Sequence, residues 1–515
     1  MELPIIYVRG FAGSAAGIDA AVDDPFYGFG LGATHVRVGR DGEPRFHQFE
    51  GPLLRLLIDR DERERAYQLQ VHGNQEAYLR SRADGSVDPL TVWIHRFYDR
   101  AASTFGRDPA GFRLEKAAED LFDLVQLVRA KTGAPRVHLV AHSMGGLICR
   151  SMIQRVVPER TGRADGAADV VDRFFTYATP HGGIEFAVGF GALEAVRDAL
   201  DVEGAAIFGR ERMHEYLTPA ADRDGGPRAG WQPQEMPDDG FPRDRVFCLV
   251  GTDAADYDVA RGLPAAAVGA RSDGLVQIDN ASVPGAHRAF VHRSHSGRYG
   301  VVNSEEGYQN LRRFLFGDLQ VAVQLCNVRL PGDPDDDIVW QLETQLSVRG
   351  VPVVMHEQST AHFCPVQLEQ PQGTDTADTP VPLLTTFLCS RLRPVDQNGD
   401  PLPTLRQALR LRLLSIREKG GVFGFFDHLE QTADFEDTLV VDIAPGDGPG
   451  NPRVWTAWSS QIPGALRDWD PAHAATMADA DDRSGVWRGE VALPPTCRPL
   501  LGPQAVVGLV VTARP

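Results

Sequence analysis

The stretch Val140-Ala141-His142-Ser143-Met144-Gly145-Gly146 constrains this chain more than any other. An apolar, β-branched run from Val137 to Ala141 leads directly into one serine, and small residues opening a helical pattern follow it. A strand, a sharp turn and a helix in that order lift a serine hydroxyl clear of a sheet. The pattern is G-x-S-x-G with Ala141, one methyl larger than glycine, in the first glycine position. The flanking residues must be small because the helix starts close to the strand. Ser143 is therefore the candidate nucleophile, and the rest of the sequence is read for its partners.

The surrounding grammar is that of a parallel sheet covered on both faces. Pro4 to Val8 reads as a buried strand and Thr91 to Phe97 as another. Between Phe112 and Thr132, Leu114, Ala118, Leu121, Val125 and Val128 share one helical face, with Gly133 as the stop signal. A strand over 136–141, a helix from Met144 to about Val157 and a strand over 170–177 follow. Residues 34–49 resemble a hairpin, and Gln75 to Arg82 a short helix. The loop Phe26-Tyr27-Gly28-Phe29-Gly30 stays unplaced. From Ile184 to Phe241 the grammar breaks. Phe186, Phe190, Leu193, Val196 and Leu200 recur at helical spacing before a stretch rich in Pro, Gly and Asp, so 184–241 is expected to be a cap or lid insertion.

Several residues offer chemistry around Ser143. Arg9-Gly10-Phe11-Ala12-Gly13 ends the first strand in a glycine-rich loop, where a backbone N–H can approach a reacting carbonyl oxygen. Phe11 is the first choice of donor there and Ala12 the second. Met144, at the start of the helix, supplies the other N–H. His142 and Ala12 flank these groups and are the candidates for contacting substrate. Asp253 lies just past the strand 245–251, and Asp273 lies in Ser272-Asp273-Gly274-Leu275-Val276; both are candidate acids. His287 sits at the wrong end of the last strand-like run, and His292 closes that run. His295 opens the loop before a helix over 304–316, where a base can reach back over the sheet edge. His181 precedes both acids, which argues against it in the order Ser, acid, His.

From Asp318 onward the composition changes. Strand-like runs at 319–330, 338–348, 382–388, 411–416, 438–443, 454–458, 486–491 and 505–512 alternate with turn-rich stretches. This spacing predicts an antiparallel β-sandwich. The expected organisation is a catalytic domain over 1–317, with its insertion at 184–241, and a sandwich-like accessory domain over 318–515. Asp-rich turns at 333–337 and 396–400 read as solvated turns in preference to calcium sites.

The motifs taken together resemble the α/β-hydrolase lipases and esterases of bacteria, over about residues 1–317. Those that carry the resemblance are Gly10-Phe11-Ala12-Gly13, Ala141-His142-Ser143-Met144-Gly145-Gly146, Thr179-Pro180-His181-Gly182-Gly183 and Ser272-Asp273-Gly274-Leu275-Val276, in that order, with His295 after them. The departures are Arg9 in place of His and Ala141 in place of Gly. The resemblance implies an α/β-hydrolase fold, a mostly parallel sheet with helices on both faces. It favours Asp273 over Asp253 as the acid and implies a Ser143-Asp273-His295 triad with an oxyanion hole from Phe11 and Met144. Ester cleavage through an acyl-enzyme, with no metal or organic cofactor, would follow. An acyltransferase or thioesterase with the same triad, a peptidase or amidase, and a hydrolase-fold binding protein are the competing readings.

Composition enters where it excludes partners. The 70 Asp and Glu residues outnumber the 52 Lys and Arg, a formal charge of -18, so no basic excess exists to neutralise a nucleic acid. The expected partner is an ester or lipid substrate, with peripheral lipid contact through the cap as one use of its apolar face. No run of about 20 apolar residues is present. Met1-Glu2-Leu3-Pro4 enters the first strand with no basic leader, so the sequence as written reads as cytoplasmic, with export by a leaderless route left open. Six cysteines lie without C-x-x-C spacing, which suggests neither a zinc site nor a disulfide framework.

Overall fold

A computed structural model describes residues 2–11, 15–23, 34–38, 44–48, 51–59, 65–70, 74–103, 111–185, 207–257, 268–297, 299–332, 338–369, 379–417, 433–446, 451–466, 469–481 and 483–514. Ala12, the aromatic loop 26–30, the apolar spacing from Phe186 to Leu200 and the turn 333–337 lie outside them.

The first sheet grows from short, fully apolar segments. Strands β1 (Ile5–Val8), β5 (Thr91–Ile94), β6 (Val137–His142), β7 (Val171–Tyr177) and β8 (Val246–Gly251) are buried along most or all of their length. Parallel strands buried on both faces read as continuous rather than alternating apolar runs. With β4 (Gln68–Gln70) and β9 (His287–Val291) the order is β4-β5-β1-β6-β7-β8-β9. The pairs β4–β5, β5–β1, β1–β6, β6–β7 and β7–β8 are parallel. A separate antiparallel hairpin joins β2 (Thr34–Val38) to β3 (Pro44–Gln48).

The chain leaves β1 to build β4 and β5 on one side, then returns to lay β6 on the other. The carboxyl ends of β1 and β6 therefore form a topological switch point, where sheets of this kind open a crevice. Ser143 follows β6 and Gly10 follows β1, so both belong to that crevice.

After the helices α1 (Ala15–Asp23), α2 (Gly51–Ile58) and α3 (Gln75–Ser81), helix α4 (Leu114–Thr132) buries Leu114, Ala117, Ala118, Leu121, Leu124, Val125 and Val128 on one face. Gly133, at φ 70°, ends it. Helix α5 (Met144–Ser151) runs into a π-turn at Met152–Val156 and then α6 (Val157–Thr161). The expected helix from Met144 is thus real, but it carries one wide turn and extends past Val157. The described part of the 184–241 stretch contains α7 (Arg210–Leu217). It is tied to the helices beneath it by Arg212 Nη2 donating to Glu115 Oε2 at 2.8 Å. The expected helix over 304–316 is α8 (Glu305–Phe316).

By contacts the chain divides into two units, Met1–Arg288 with His292–Tyr308, and Ala289–Val291 with Gln309–Pro515. The second is built of antiparallel sheets. One has the order β14-β10-β19-β18, from Val381–Leu388, Leu319–Cys326, Val506–Ala513 and Val486–Ala492. The other has the order β12-β11-β15-β16-β17, from Val354–Gln358, Ile338–Val348, Leu405–Arg417, Phe435–Ala444 and Arg453–Trp458; β13 (Val366–Leu368) also pairs with β11. Buried and half-buried residues alternate strictly along β10. Val321 and Val323 of one sheet join Leu342, Leu346, Leu409 and Leu439 of the other in a single buried cluster.

Candidate active site

Ser143 sits at φ 51°, ψ -128°, a conformation a side-chain-bearing residue adopts only when its surroundings compel it. The compulsion is visible. Its N–H donates to Tyr177 O at 2.9 Å, and its carbonyl accepts from Thr179 Oγ1 at 2.9 Å and Gly146 N at 3.0 Å. Gly145 lies so close to the carbonyls of Val8 and Arg9 that any Cβ there would collide with backbone. The helix thus begins directly against the end of β1, and its first residue, Met144, presents an amide that the helix itself leaves without a partner.

The hydroxyl of Ser143 meets the Nε2 of His295 at 3.0 Å, and His295 Nδ1 meets Asp273 Oδ2 at 2.9 Å. All three side chains are buried. The Asp273 carboxylate is itself held, because its Oδ1 accepts from Leu275 N at 3.0 Å and Val276 N at 2.8 Å. The backbone of His295 donates to Asp273 O at 2.8 Å, joining the two loops. Gly274, at φ 97°, turns the acid loop under Tyr257, whose ring stands edge-on to His295 at 5.8 Å.

The other sequence candidates make different contacts. Asp253 is buried, but its Oδ1 accepts from Ala255 N at 2.9 Å and Asp256 N at 3.2 Å, so it closes its own loop. His181 is buried with its Nε2 3.2 Å from Thr176 Oγ1 and 3.6 Å from Cys248 Sγ, and burial pushes its pKa well down. His287 Nε2 reaches Asp244 O at 3.1 Å, and His292 Nδ1 lies 3.4 Å from Thr252 Oγ1. His142 meets the backbone carbonyl of His295 through Nε2 at 3.0 Å. Phe11 is half-buried and follows Gly10, at which a Cβ would come within 2.8 Å of Ser143 Cβ; the loop after β1 therefore abuts Ser143.

Sequence reasoning singled out Thr179-Pro180-His181-Gly182-Gly183 as one of the motifs that carry the resemblance, but not what it does. Thr179 anchors the elbow carbonyl and fills the space beside Gly146, and Ala178 before it is held at φ 46°. Arg150 of α5 was also missed. It is fully buried and donates to His181 O at 3.1 Å, Pro233 O at 2.8 Å and Glu235 O at 2.8 Å. Burial lowers its pKa to about 10, so it stays charged at neutral pH. A lone arginine in an apolar helix is a visible signal, but its carbonyl partners are not.

Among the described residues no group of three or more His, Cys, Asp or Glu side chains could hold a metal ion. At the turn 396–400, Asp396 Oδ1 accepts from Asn398 N and Asp400 N, so that carboxylate closes the turn itself. No described helix is long and apolar enough to cross a membrane.

Residues 107–212, which contain the elbow, match the family described as "Putative serine esterase (DUF676)". This supports the resemblance to α/β-hydrolase lipases and esterases drawn from the motifs. No curated protein matches the chain. Among solved structures, similar ones include the lipase BlEst2 of Bacillus licheniformis, at 14% identity and TM-score 0.30 over 61% of this chain and 91% of that one. Another is the phospholipase PlaB of Legionella pneumophila, at 11% identity and TM-score 0.33 over 81% of this chain and 90% of that one. A third is lipase B of Aspergillus fumigatus, at 11% identity and TM-score 0.26 over 61% of this chain and 52% of that one. The α/β-hydrolase fold stands on the chain's own strand order and elbow.

Proposed function

We propose that this chain is a serine hydrolase of carboxylic esters, an esterase or lipase, acting through Ser143, His295 and Asp273. The observation that carries the reading is the unbroken hydrogen-bonded line from Asp273 Oδ2 through both ring nitrogens of His295 to Ser143 Oγ, all of it buried. In this reading His295 takes the Ser143 proton through Nε2 as the hydroxyl attacks the ester carbonyl. Asp273 holds the imidazole in the Nδ1–H tautomer and stabilises the imidazolium that forms. The N–H groups of Met144 and Phe11 receive the oxyanion, a contribution of roughly 2.7–4 kcal/mol per donor. The alcohol leaves with the proton from His295, and water then cleaves the acyl-serine ester through the same base. Catalysis is assigned to residues 1–317 and an accessory role to the sandwich-like region 318–515.

The test is hydrolysis of a short p-nitrophenyl ester together with labelling by a fluorophosphonate. Ser143→Ala is expected to lose both while its circular dichroism is unchanged. Ester hydrolysis at the parent rate in that variant overturns the proposal.

A further inference from the structure

Resting on that reading, the geometry points to His142 as a positioning residue for the base: its neutral imidazole donates Nε2–H to the backbone carbonyl of His295 and holds that loop against the nucleophile's strand. Three observations carry it.

The contact is 3.0 Å, and a carbonyl oxygen only accepts, so Nε2 carries the proton. A neutral ring then leaves Nδ1 bare. That nitrogen lies on the side of Gly10, where a Cβ would come within 3.1 Å of it. The His142 ring is thus wedged between the loop after β1 and the loop of the base, the two walls that flank Ser143.

The second observation concerns what sets the distance between nucleophile and base. Ser143 is fixed at the end of β6, whereas His295 lies in a loop 152 positions away in sequence. The base is tied to Asp273 by its ring and its backbone amide, but Asp273 is also in a loop. His142 is the last residue of β6 and the covalent neighbour of Ser143, so its hydrogen bond ties the base loop to the strand that carries the nucleophile. A misplacement of about 1 Å at this point costs about 100-fold in rate.

The third is electrostatic. The two rings stand 5.1 Å apart. Burial, and after it the charge of His295, hold His142 down at about 3, with Arg9 acting in the same direction. A ring that stays neutral can donate to the carbonyl without repelling the imidazolium formed at His295 during attack. Nothing in the contact of Nε2 with a carbonyl lets His142 act as a base itself.

The experiment compares His142→Phe and His142→Gln in the full chain with p-nitrophenyl acetate as probe. The phenylalanine keeps a ring without a donor; the glutamine places an amide N–H near the position of Nε2. The expected result is a kcat about 10- to 100-fold lower in His142→Phe with KM within about twofold of the parent. His142→Gln should recover most of that loss. Parent kcat in His142→Phe, or equal losses in the two variants, overturns the inference. Should His142→Phe not fold, nitrogen NMR of the parent protein decides instead. The His142 ring itself must be a neutral Nε2–H tautomer from pH 8 to pH 5, as the His95 ring is expected to be; a His142 resonance assigned to the Nδ1–H tautomer, or titrating near 6.5, refutes the claim. Ser143→Ala separates the two levels. A dead Ser143→Ala with an unimpaired His142→Phe sinks this inference alone, whereas a fully active Ser143→Ala sinks both.

Discussion

At the scale of single residues, two buried carboxylates are candidates for the proposed acid, and their hydrogen bonds differ. Asp273 spends one oxygen on the amides of its own loop and the other on His295, while Asp253 Oδ1 is engaged by Ala255 and Asp256. Asp273→Asn is expected to lower kcat/KM for a p-nitrophenyl ester by about 10⁴, because an amide can favour the wrong imidazole tautomer. Asp253→Asn is expected to cost about tenfold or less, through loop geometry alone. Parallel rate measurements on the two variants check the order, and the reverse order would move the acid to Asp253. The same scale explains Gly145. Its Cβ position is occupied by the carbonyls of Val8 and Arg9, so Gly145→Ala must push the helix off β1. That variant should lose the ester activity even where it folds, since both proposed oxyanion donors flank the contact; activity and thermal melting together report it.

At the scale of elements, the helix after Ser143 is the part that departs from regularity. The amide of Val157 bonds to Met152 O, five residues back, so the segment Met152–Val156 is a π-turn. Arg150 and Arg155 lie on either side of its start, both buried. The first binds the loop 233–235, and the second donates to Glu115 O at 3.0 Å at the start of α4. A wide turn brings positions five apart closer to one face than an α-helix does, so one helix grips two neighbours. Arg150→Met removes the donor from carbonyls at His181, Pro233 and Glu235, the first two of which belong to buried residues. A buried group left unpaired costs about 1–3 kcal/mol, so a loss of about 3 kcal/mol in unfolding free energy is expected from urea titration. The control is Arg163→Met. Arg163 is exposed and pairs with Asp165 and Asp169, and solvent screens such surface pairs, so the urea midpoint of this variant is expected to stay at the parent value.

At the scale of the whole molecule, buried neutral histidines link folding to pH. Burial pushes His95 down to about 4, and its Nε2 stays bonded to Ala117 O at 2.8 Å. In the unfolded chain the same group has a pKa near 6.5. The unfolded state therefore binds a proton first. The contribution of His95 is complete above about pH 6.5 and is lost as pH falls toward 4, up to roughly 3 kcal/mol. His142, held at about 3, acts in the same direction. The urea midpoint should fall between pH 7.5 and pH 5, before most carboxylates titrate, and His95→Gln should flatten that slope. A midpoint independent of pH over this range would contradict the burial of neutral imidazoles. The region 318–515 is governed by a different rule. Its strands bury alternate residues, which is why Ile338–Val348 and Leu319–Cys326 read clearly in sequence. β15 was legible only over part of its length, because Arg406, Arg410 and Arg412 alternate with core positions and Gln407 occupies one of them. Short strands such as Val366–Leu368 and Gln68–Gln70 carry too few residues to show a period.

What the amino-acid sequence determined by itself was local: the apolar runs of the parallel strands, the face of α4, the alternation of the long antiparallel strands and the elbow at Ser143. Each is set by periodicity and by small residues where backbone approaches backbone, and both can be read from neighbours in the chain. Ser143, Asp273 and His295 were legible as candidates, because the resemblance ties those positions to motifs, and their side chains are joined by hydrogen bonds. Tertiary structure alone decided which carboxylate oxygen meets His295, that Thr179 pins the elbow carbonyl, that Arg150 is solvated by three distant carbonyls, and that His142 Nε2 meets the backbone carbonyl of His295. These are hydrogen bonds between residues tens to hundreds of positions apart. Their partners are mostly backbone atoms, which every residue possesses, so no choice of side chain announces them. At Ser143 the two kinds of information meet: composition allowed the strained turn, and only the packing of β1, β7 and Thr179 around it holds the turn in place.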